Sequence, residues 1–449
     1  MIKPYKSMIH YRTVLLLVFI GLIWSPISAQ DDAEATEQAP PPQVGVLRQT
    51  DGVSDGYVLF SPIPSNIAYL IDNDGRLVHQ WQTEFPILSP YLLENGDLLA
   101  TTTLPSEGQF PAGRTGRIVR LNWDGDVIWQ YELEEQSNEQ IHHDIDVMPN
   151  GHILMSIWEA VSYDDLATYG IDTTALEPDS TLYYDKIVEI DPASNETIWE
   201  WRMLDHTVQS FDESRDNFGV IAANPHLIDL NYNERTANTR DRSHINAIDY
   251  DAENNHIIIS AHFQSEIWVI DYNTGDLIYR WGNPQVYDRG LPDNQQLFGQ
   301  HNPTWLDNGN ILIFNNGHAD LRPYSSVIEI TPPRNAQGGY DLLDGAAYAP
   351  FEPTWEYAPN DADEFYARNL SGAHRLMNGN TFITDGPNGR FVEIDADGTV
   401  VWEYLSPFWS NNENPRPVSI FRATRYPANY LAFEGRDLIA GNVLPYRIR

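Results

Sequence analysis

Residues 299–317 read GQHNPTWLDNGNILIFNNG, and this stretch decides the fold. Asp307-Asn308-Gly309-Asn310 separates two apolar runs, and an Asn-Gly pair suits a tight turn with positive φ at both central residues. The run Ile311-Leu312-Ile313-Phe314 is bulky enough for a buried strand. A β-hairpin is therefore expected, with His301 left over just ahead of it.

The same phrase recurs. Two apolar runs around a turn appear at 90–103, 144–156, 245–260, 302–316, 373–385 and 421–433. A second phrase alternates with it, a hairpin whose far strand ends in aromatics. Its copies are YLIDNDGRLVHQW (69–81), RLNWDGDVIWQY (120–131), EIDPASNETIWEW (189–201), VIDYNTGDLIYRW (269–281), EIDADGTVVWEY (393–404) and an interrupted one from Ser325 to Tyr357. Two hairpins make a four-stranded sheet, and six such sheets predict an all-β, six-bladed β-propeller. The chain begins on the outer phrase and ends on the inner one. N-terminal outer strands would thus pair with C-terminal inner strands and close the ring, which removes open sheet edges. The competing arrangement is a β-sandwich with coincidental repeats. Short helices are expected only in 205–230 and 134–140.

Composition bounds the function. The 449 residues hold 64 acidic against 27 basic side chains, a net charge of −37. Nucleic-acid binding rests on neutralising phosphates, so nucleic acid is excluded as a partner, and anionic membrane surfaces with it. The acidity reads as a solvating coat. Residues 1–29 carry Lys3, Lys6 and Arg12, then an apolar run from Thr13 to Trp24, then Ser28-Ala29, the pattern of a signal peptide. Export to the periplasm or beyond the cell is expected, with no membrane contact except an uncleaved N-terminal anchor. Residues 30–55 read as an acidic, Pro-rich linker and lead-in, and 56–449 as the propeller domain. The chain has no cysteine, which excludes disulfides, a thiol nucleophile and Cys-based zinc sites.

Histidines open several inner hairpins: His142 and His143, His244, His301 and His374. The last copy offers Arg422 and Arg425 instead, and Arg322 and Arg390 follow two of the hairpins. The innermost strands of a propeller line its channel, so these groups would meet at one mouth. Such a ring forms an island of positive potential suited to a compact oxyanion, and arginine's planar fork of donors matches a sulfuryl group. Imidazoles can act there as base, acid or nucleophile. For His142, His256, His262 and His318 a local hydrogen bond to the backbone is the simpler reading. Three histidines could hold zinc, which is the middle possibility, but no HxH or HxxxH pair supplies local metal-ligand spacing, and DNDG, NWDG and DADG lack the continuation of a calcium loop, so no metal or other cofactor is expected.

Over residues 56–430 the sequence resembles the PAPS-independent aryl-sulfate sulfotransferases of bacteria, a family often periplasmic. The resemblance is carried by YVLFSP with IAYLIDNDGRLVHQW, HHDIDVMPNGHIL, SHINAIDYDAENNHIIISAHFQS, GQHNPTWLDNGNILIFNNG and SGAHRLMNGNTFITDGPNGRFVEIDADGTVVWEY. It implies a six-bladed propeller whose channel holds the active site. It also implies two displacements: a histidine takes the sulfuryl group from an aryl sulfate, then passes it to a phenol. The resemblance assigns supporting roles to His244 and His301 and the arginine to Arg322. Where the family's nucleophile is expected this chain has Arg390, which leaves His374 or His301 to attack and Arg390, His143 and Arg422 to bind substrate. The alternatives are an aryl-sulfate hydrolase and a non-catalytic extracytoplasmic propeller that binds an anionic ligand or glycan.

Overall fold

The computed structural model describes residues 42–105, 110–134, 137–174, 176–177, 180–232, 240–359 and 365–448. The signal-like segment and residues 30–41 of the linker and lead-in lie outside them. The chain is all-β, and Tyr163–Leu166 is the only α-helix among the described residues.

The strands follow the phrases. In chain order they are β1 (Gly45–Gln49), β2 (Gly56–Phe60), β3 (Ser65–Ile71), β4 (Leu77–Leu92), β5 (Leu98–Thr103), β6 (Gly116–Leu121) and β7 (Val127–Glu132). Next come β8 (Glu139–Val147), β9 (Ile153–Ser162), β10 (Thr181–Asp191), β11 (Glu196–Arg202), β12 (Thr207–Val208) and β13 (Ile228–Asp229). Then follow β14 (Ile245–Asp251), β15 (His256–Ala261), β16 (Glu266–Asp271), β17 (Leu277–Trp281), β18 (His301–Trp305), β19 (Ile311–Asn315), β20 (Ser326–Ile330) and β21 (Trp355–Tyr357). The last are β22 (Gly372–Arg375), β23 (Thr381–Asp385), β24 (Arg390–Ile394), β25 (Val400–Leu405), β26 (Phe408–Trp409), β27 (Thr424–Pro427) and β28 (Arg447–Ile448).

They pair into antiparallel four-stranded modules: β8 to β11, β14 to β17, β18 to β21, and β22 to β25 with β1 added at its edge. A seven-stranded sheet, β27-β2-β3-β4-β5-β6-β7, contains two more modules that share the long β4. The C-terminal phrase contributes one strand here rather than the expected hairpin. β27 pairs with β2, and the chain then turns at Leu431–Phe433 in a single 3₁₀ turn.

The Asn-Gly turns differ from expectation in one respect. Gly309 has φ +79°, but Asn308 does not take positive φ. Instead Gly309 N–H donates to the Leu306 carbonyl at 2.8 Å and Asn308 Oδ1 accepts Asn310 N–H at 2.9 Å. A type I turn followed by one left-handed glycine needs positive φ only at that glycine. The expected helices are also absent: 205–230 holds the 3₁₀ turn Ile221–Ala223 and the parallel pair β12–β13, and the described end of 134–140 enters β8.

Three sets of contacts link the modules in sequence. The buried apolar clusters lie between neighbours. Trp81 and Leu70 pack with Leu98 and Leu121, Ile313 and Ile328 with Tyr279 and Trp281, and Phe382 and Trp402 with Val58 and Phe60. Burying apolar surface in this way is the main stabilising term. The phrase-ending tryptophans explain themselves as the second set. Their indole N–H groups reach the next module: Trp81 to Asn122 O at 3.1 Å, Trp129 to Asn195 Oδ1 at 2.9 Å, Trp201 to Gly275 O at 3.1 Å, Trp281 to Pro350 O at 2.7 Å and Trp402 to Asn73 O at 2.8 Å. The third set runs between lead strands. The Tyr91 hydroxyl in β4 donates to Asp144 in β8. Asp146 in β8 accepts the Tyr250 amide of β14 at 2.8 Å, and Asp249 in β14 accepts the Trp305 amide of β18 at 2.7 Å. Asn302 in β18 accepts the Ala373 amide of β22 at 3.1 Å, and His374 in β22 accepts the Arg425 amide of β27 at 3.1 Å. Tyr426 in β27 accepts the Leu92 amide at 2.9 Å, and the series returns to the strand on which it began.

Candidate active site

Four imidazoles meet beside the lead strands. His143 is in β8, His244 immediately precedes β14, His262 follows β15, and His301 opens β18. Ring centroids are 4.5 Å apart for His143–His244, 5.4 Å for His244–His262 and 5.1 Å for His262–His301. His143 and His244 hold φ of +46° and +55°, a conformation that non-glycine residues adopt at a cost and that clusters at functional sites. Aromatic rings frame the arc. Trp158 stacks on His142 at 4.0 Å, Phe421 lies 6.0 Å from His143, and Phe263 lies 4.9 Å from His244.

The hydrogen bonds assign the imidazole nitrogens. His301 Nε2 accepts the Leu370 amide at 3.2 Å, so its Nδ1 proton faces Asn316 Oδ1 at 2.8 Å. His374 Nε2 is likewise occupied by the Arg425 amide. His142 Nδ1 lies 2.9 Å from His143 Nδ1, and its Nε2 lies 3.0 Å from Asp185. His244 Nδ1 lies 2.5 Å from Asp241 Oδ2.

Burial keeps most of these rings neutral. It drives His142 and His143 well below the usual histidine range, with repulsion from His244 adding to it. It takes His301 down to about 3 and His374 to about 4. His142, His143, His301 and His374 therefore add no imidazolium to the expected cationic island. Its buried cation is Arg422. Burial works against that charge, but Asp144, Tyr91 and Asp249 overcome the penalty and raise its pKa. Arg422 Nη1 donates to Asp144 Oδ2 at 3.1 Å, while its buried Nε and Nη2 have no protein partner among the described residues. Beyond Arg422 lie buried carboxyl groups. Burial pushes Asp146 up to about 6 and, together with Asp146, raises Asp249 well above the usual range.

The other predicted residues have partners of their own. His374 packs on Phe382 at 5.2 Å and joins two lead strands. Arg322 is bound to Glu356 at 2.8 Å and Ser326 at 2.6 Å, and Arg390 to Glu403 at 2.8 Å. Glu356 lies in β21 and Glu403 in β25. Sequence reasoning set His262 aside as a local hydrogen-bonding residue and missed Trp158, Asp241 and Phe263. Its one available signal was the SHINAI and SAHFQS pair, in which His244 and His262 flank a single hairpin.

The profile of the Arylsulfotransferase (ASST) family matches residues 49–404, most of the chain. The chain belongs to this family. No curated protein matches it. Similar solved structures include a protein of unknown function from Bacteroides caccae, 13% identical with a TM-score of 0.46, covering 83% of this chain and 99% of that one. Virginiamycin B lyase from Staphylococcus aureus is 12% identical, with a TM-score of 0.41 and coverages of 81% and 88%. The Cps50 (Swd1) β-propeller domain of Myceliophteria thermophila is 10% identical, with a TM-score of 0.44 and coverages of 81% and 90%. Among the described residues no helix is long and apolar enough to cross a membrane, and no group of three or more His, Asp or Glu side chains could hold a metal ion.

Proposed function

We propose that this arylsulfotransferase-family protein moves a sulfuryl group from an aryl sulfate to a phenolic acceptor through a sulfohistidine formed in the arc. In this reading the modules form a closed six-bladed propeller, and the lead strands line its channel. The apolar clusters, the tryptophan bonds and the lead-strand bonds that return to β4 support that closure. Export, through the segment 1–29, is part of the same proposal.

One observation carries the chemistry: four imidazoles converge in an arc, and Arg422, whose charge acts on His301 of that arc, keeps two buried donors without a protein partner among the described residues. Arg422 Nε and Nη2 offer a fork to two sulfuryl oxygens. A neutral imidazole supplies the lone pair that a protonated one lacks. In this reading the two groups have different tasks. The guanidinium stabilises charge on the sulfuryl oxygens, a role worth about 10²–10³-fold for a single preorganised donor. Phe263 and Phe421, which border His244 and His143, give an aryl ring apolar and edge-to-face partners. Incubation of the purified protein with 4-nitrophenyl sulfate tests the reading. Release of 4-nitrophenolate that accelerates with added phenol is expected. Release indifferent to phenol identifies a hydrolase, and binding without release identifies a non-catalytic site; either result overturns the proposal.

A further inference from the structure

We infer that His244 is the residue that carries the sulfuryl group and that Asp241 is its positioning residue. This rests on the sulfuryl-transfer reading above. Asp241 grips His244 twice: Oδ1 accepts its backbone N–H at 3.2 Å and Oδ2 lies 2.5 Å from Nδ1. With Nδ1 donating to Oδ2, the other ring nitrogen, Nε2, is the one left to offer a lone pair. His301 and His374 have the opposite arrangement, since an amide N–H consumes the lone pair of each. They are the two histidines that the sequence nominated as nucleophiles, and in this structure neither has an electron pair to offer.

The dyad is built on fixed backbone. The Tyr183 amide donates to Arg240 O at 2.8 Å, the Arg242 amide to Tyr183 O at 3.0 Å and the Phe263 amide to Ser243 O at 3.1 Å, so the turn 240–244 is clamped on two sides. The Asp241 side chain is 5% exposed and that of His244 17%. The orienting group is thus dry while the reacting ring is reachable. His143 and His262 flank the ring on either side, and Phe263 lies against it.

The steps balance. The His244 Nε2 pair attacks sulfur, an N–S bond forms, the S–O(aryl) bond breaks, and its electron pair leaves on the phenolate. The Nδ1 proton stays on the ring, and the Asp241 charge offsets the positive charge that the ring gains. The acceptor phenol then gives its proton to solvent water, its oxygen bonds sulfur, the N–S bond breaks, and its electrons return to Nε2.

The test uses the whole protein with 4-nitrophenyl sulfate and no acceptor, quenched in alkali and mapped by peptide mass spectrometry. The sulfuryl group is expected on His244. D241N and D241A should lower kcat by about 10²–10⁴-fold with little change in KM, because the tautomer and not substrate binding is lost. H244G should lose the label, and added imidazole should restore 4-nitrophenolate release. Glycine suits φ +55°, so this variant keeps its backbone. Turnover by the unaltered protein with the group trapped on another imidazole overturns the assignment alone, as does a label retained in H244G. Absence of both release and label in the unaltered protein overturns the transfer reading and this inference with it.

Discussion

His374 Nε2 accepts the backbone N–H of Arg425 at 3.1 Å, and this bond joins two neighbouring lead strands. It makes His374 the equivalent of Asp146 and Asp249, which accept the amides of Tyr250 and Trp305. His374→Ala is expected to strand a buried amide and cost about 1–3 kcal/mol of stability. Urea unfolding should show the loss, while kcat/KM for 4-nitrophenyl sulfate in the folded variant stays within a few-fold. A loss of several hundredfold in kcat/KM at unchanged stability would return His374 to the chemistry.

Arg422 should behave in the opposite way. Arg422→Met removes the two unpaired donors and leaves Asp144 buried beside Tyr91. A fall of about 10²–10³-fold in kcat/KM is expected. Breaking the buried ion pair should also cost about 3–5 kcal/mol. Pairing the change with Asp144→Asn is expected to recover much of the stability and none of the activity, as thermal unfolding and turnover measured on the same samples will show.

The pH dependence of stability follows from two opposed sets of buried groups. His301 at about 3 and His374 at about 4 are both depressed from 6.5 by burial, so the fold holds them neutral. Their contribution is complete above about pH 6.5 and is lost as the pH falls towards 4, because the unfolded chain takes up protons first. Asp146, raised from 3.8 to about 6, runs the other way: its contribution is present below about pH 3.8 and is lost as the pH rises through 6. In Asp146→Asn the decline in stability between pH 5 and pH 8 should shrink, by on the order of 1 kcal/mol. Urea unfolding at pH 5, 6.5 and 8 measures that slope, and an unchanged slope would contradict the assignment.

Trp402 ties the last repeat to the first through its bond to Asn73 O. Trp402→Phe keeps most of the ring burial and deletes the donor, so a loss of about 1 kcal/mol is expected. Trp402→Ala should cost about 3–5 kcal/mol, since it empties part of the cluster shared with Val58 and Phe60. Equal effects of the two substitutions in a denaturation series would mean that the hydrogen bond, and not the packing, dominates.

The hairpin repeat was legible because strand periodicity and Asn-Gly turns are local signals. The aromatic endings were legible too, although their role as donors to the next module depends on which turn faces them. His374 shows how register misleads. It stands five residues before the turn glycine Gly379, as Asp146 stands before Gly151, whereas His143 and His301 stand eight before theirs. Three residues along a strand carry a side chain to another level, so the shared phrase did not mean a shared position. Arg322 and Arg390 were nominated by charge, yet Glu356 and Glu403 lie within reach and hold them. Asp241 gave no sequence signal, since its value depends on a three-residue turn that folds its carboxylate back onto His244.

The most direct test of the central claim is the fate of the sulfuryl group. With 4-nitrophenyl sulfate as donor and phenol in excess, mass spectrometry should find one phenyl sulfate for each 4-nitrophenolate released. Free inorganic sulfate in its place, at the same rate of release, would contradict the account.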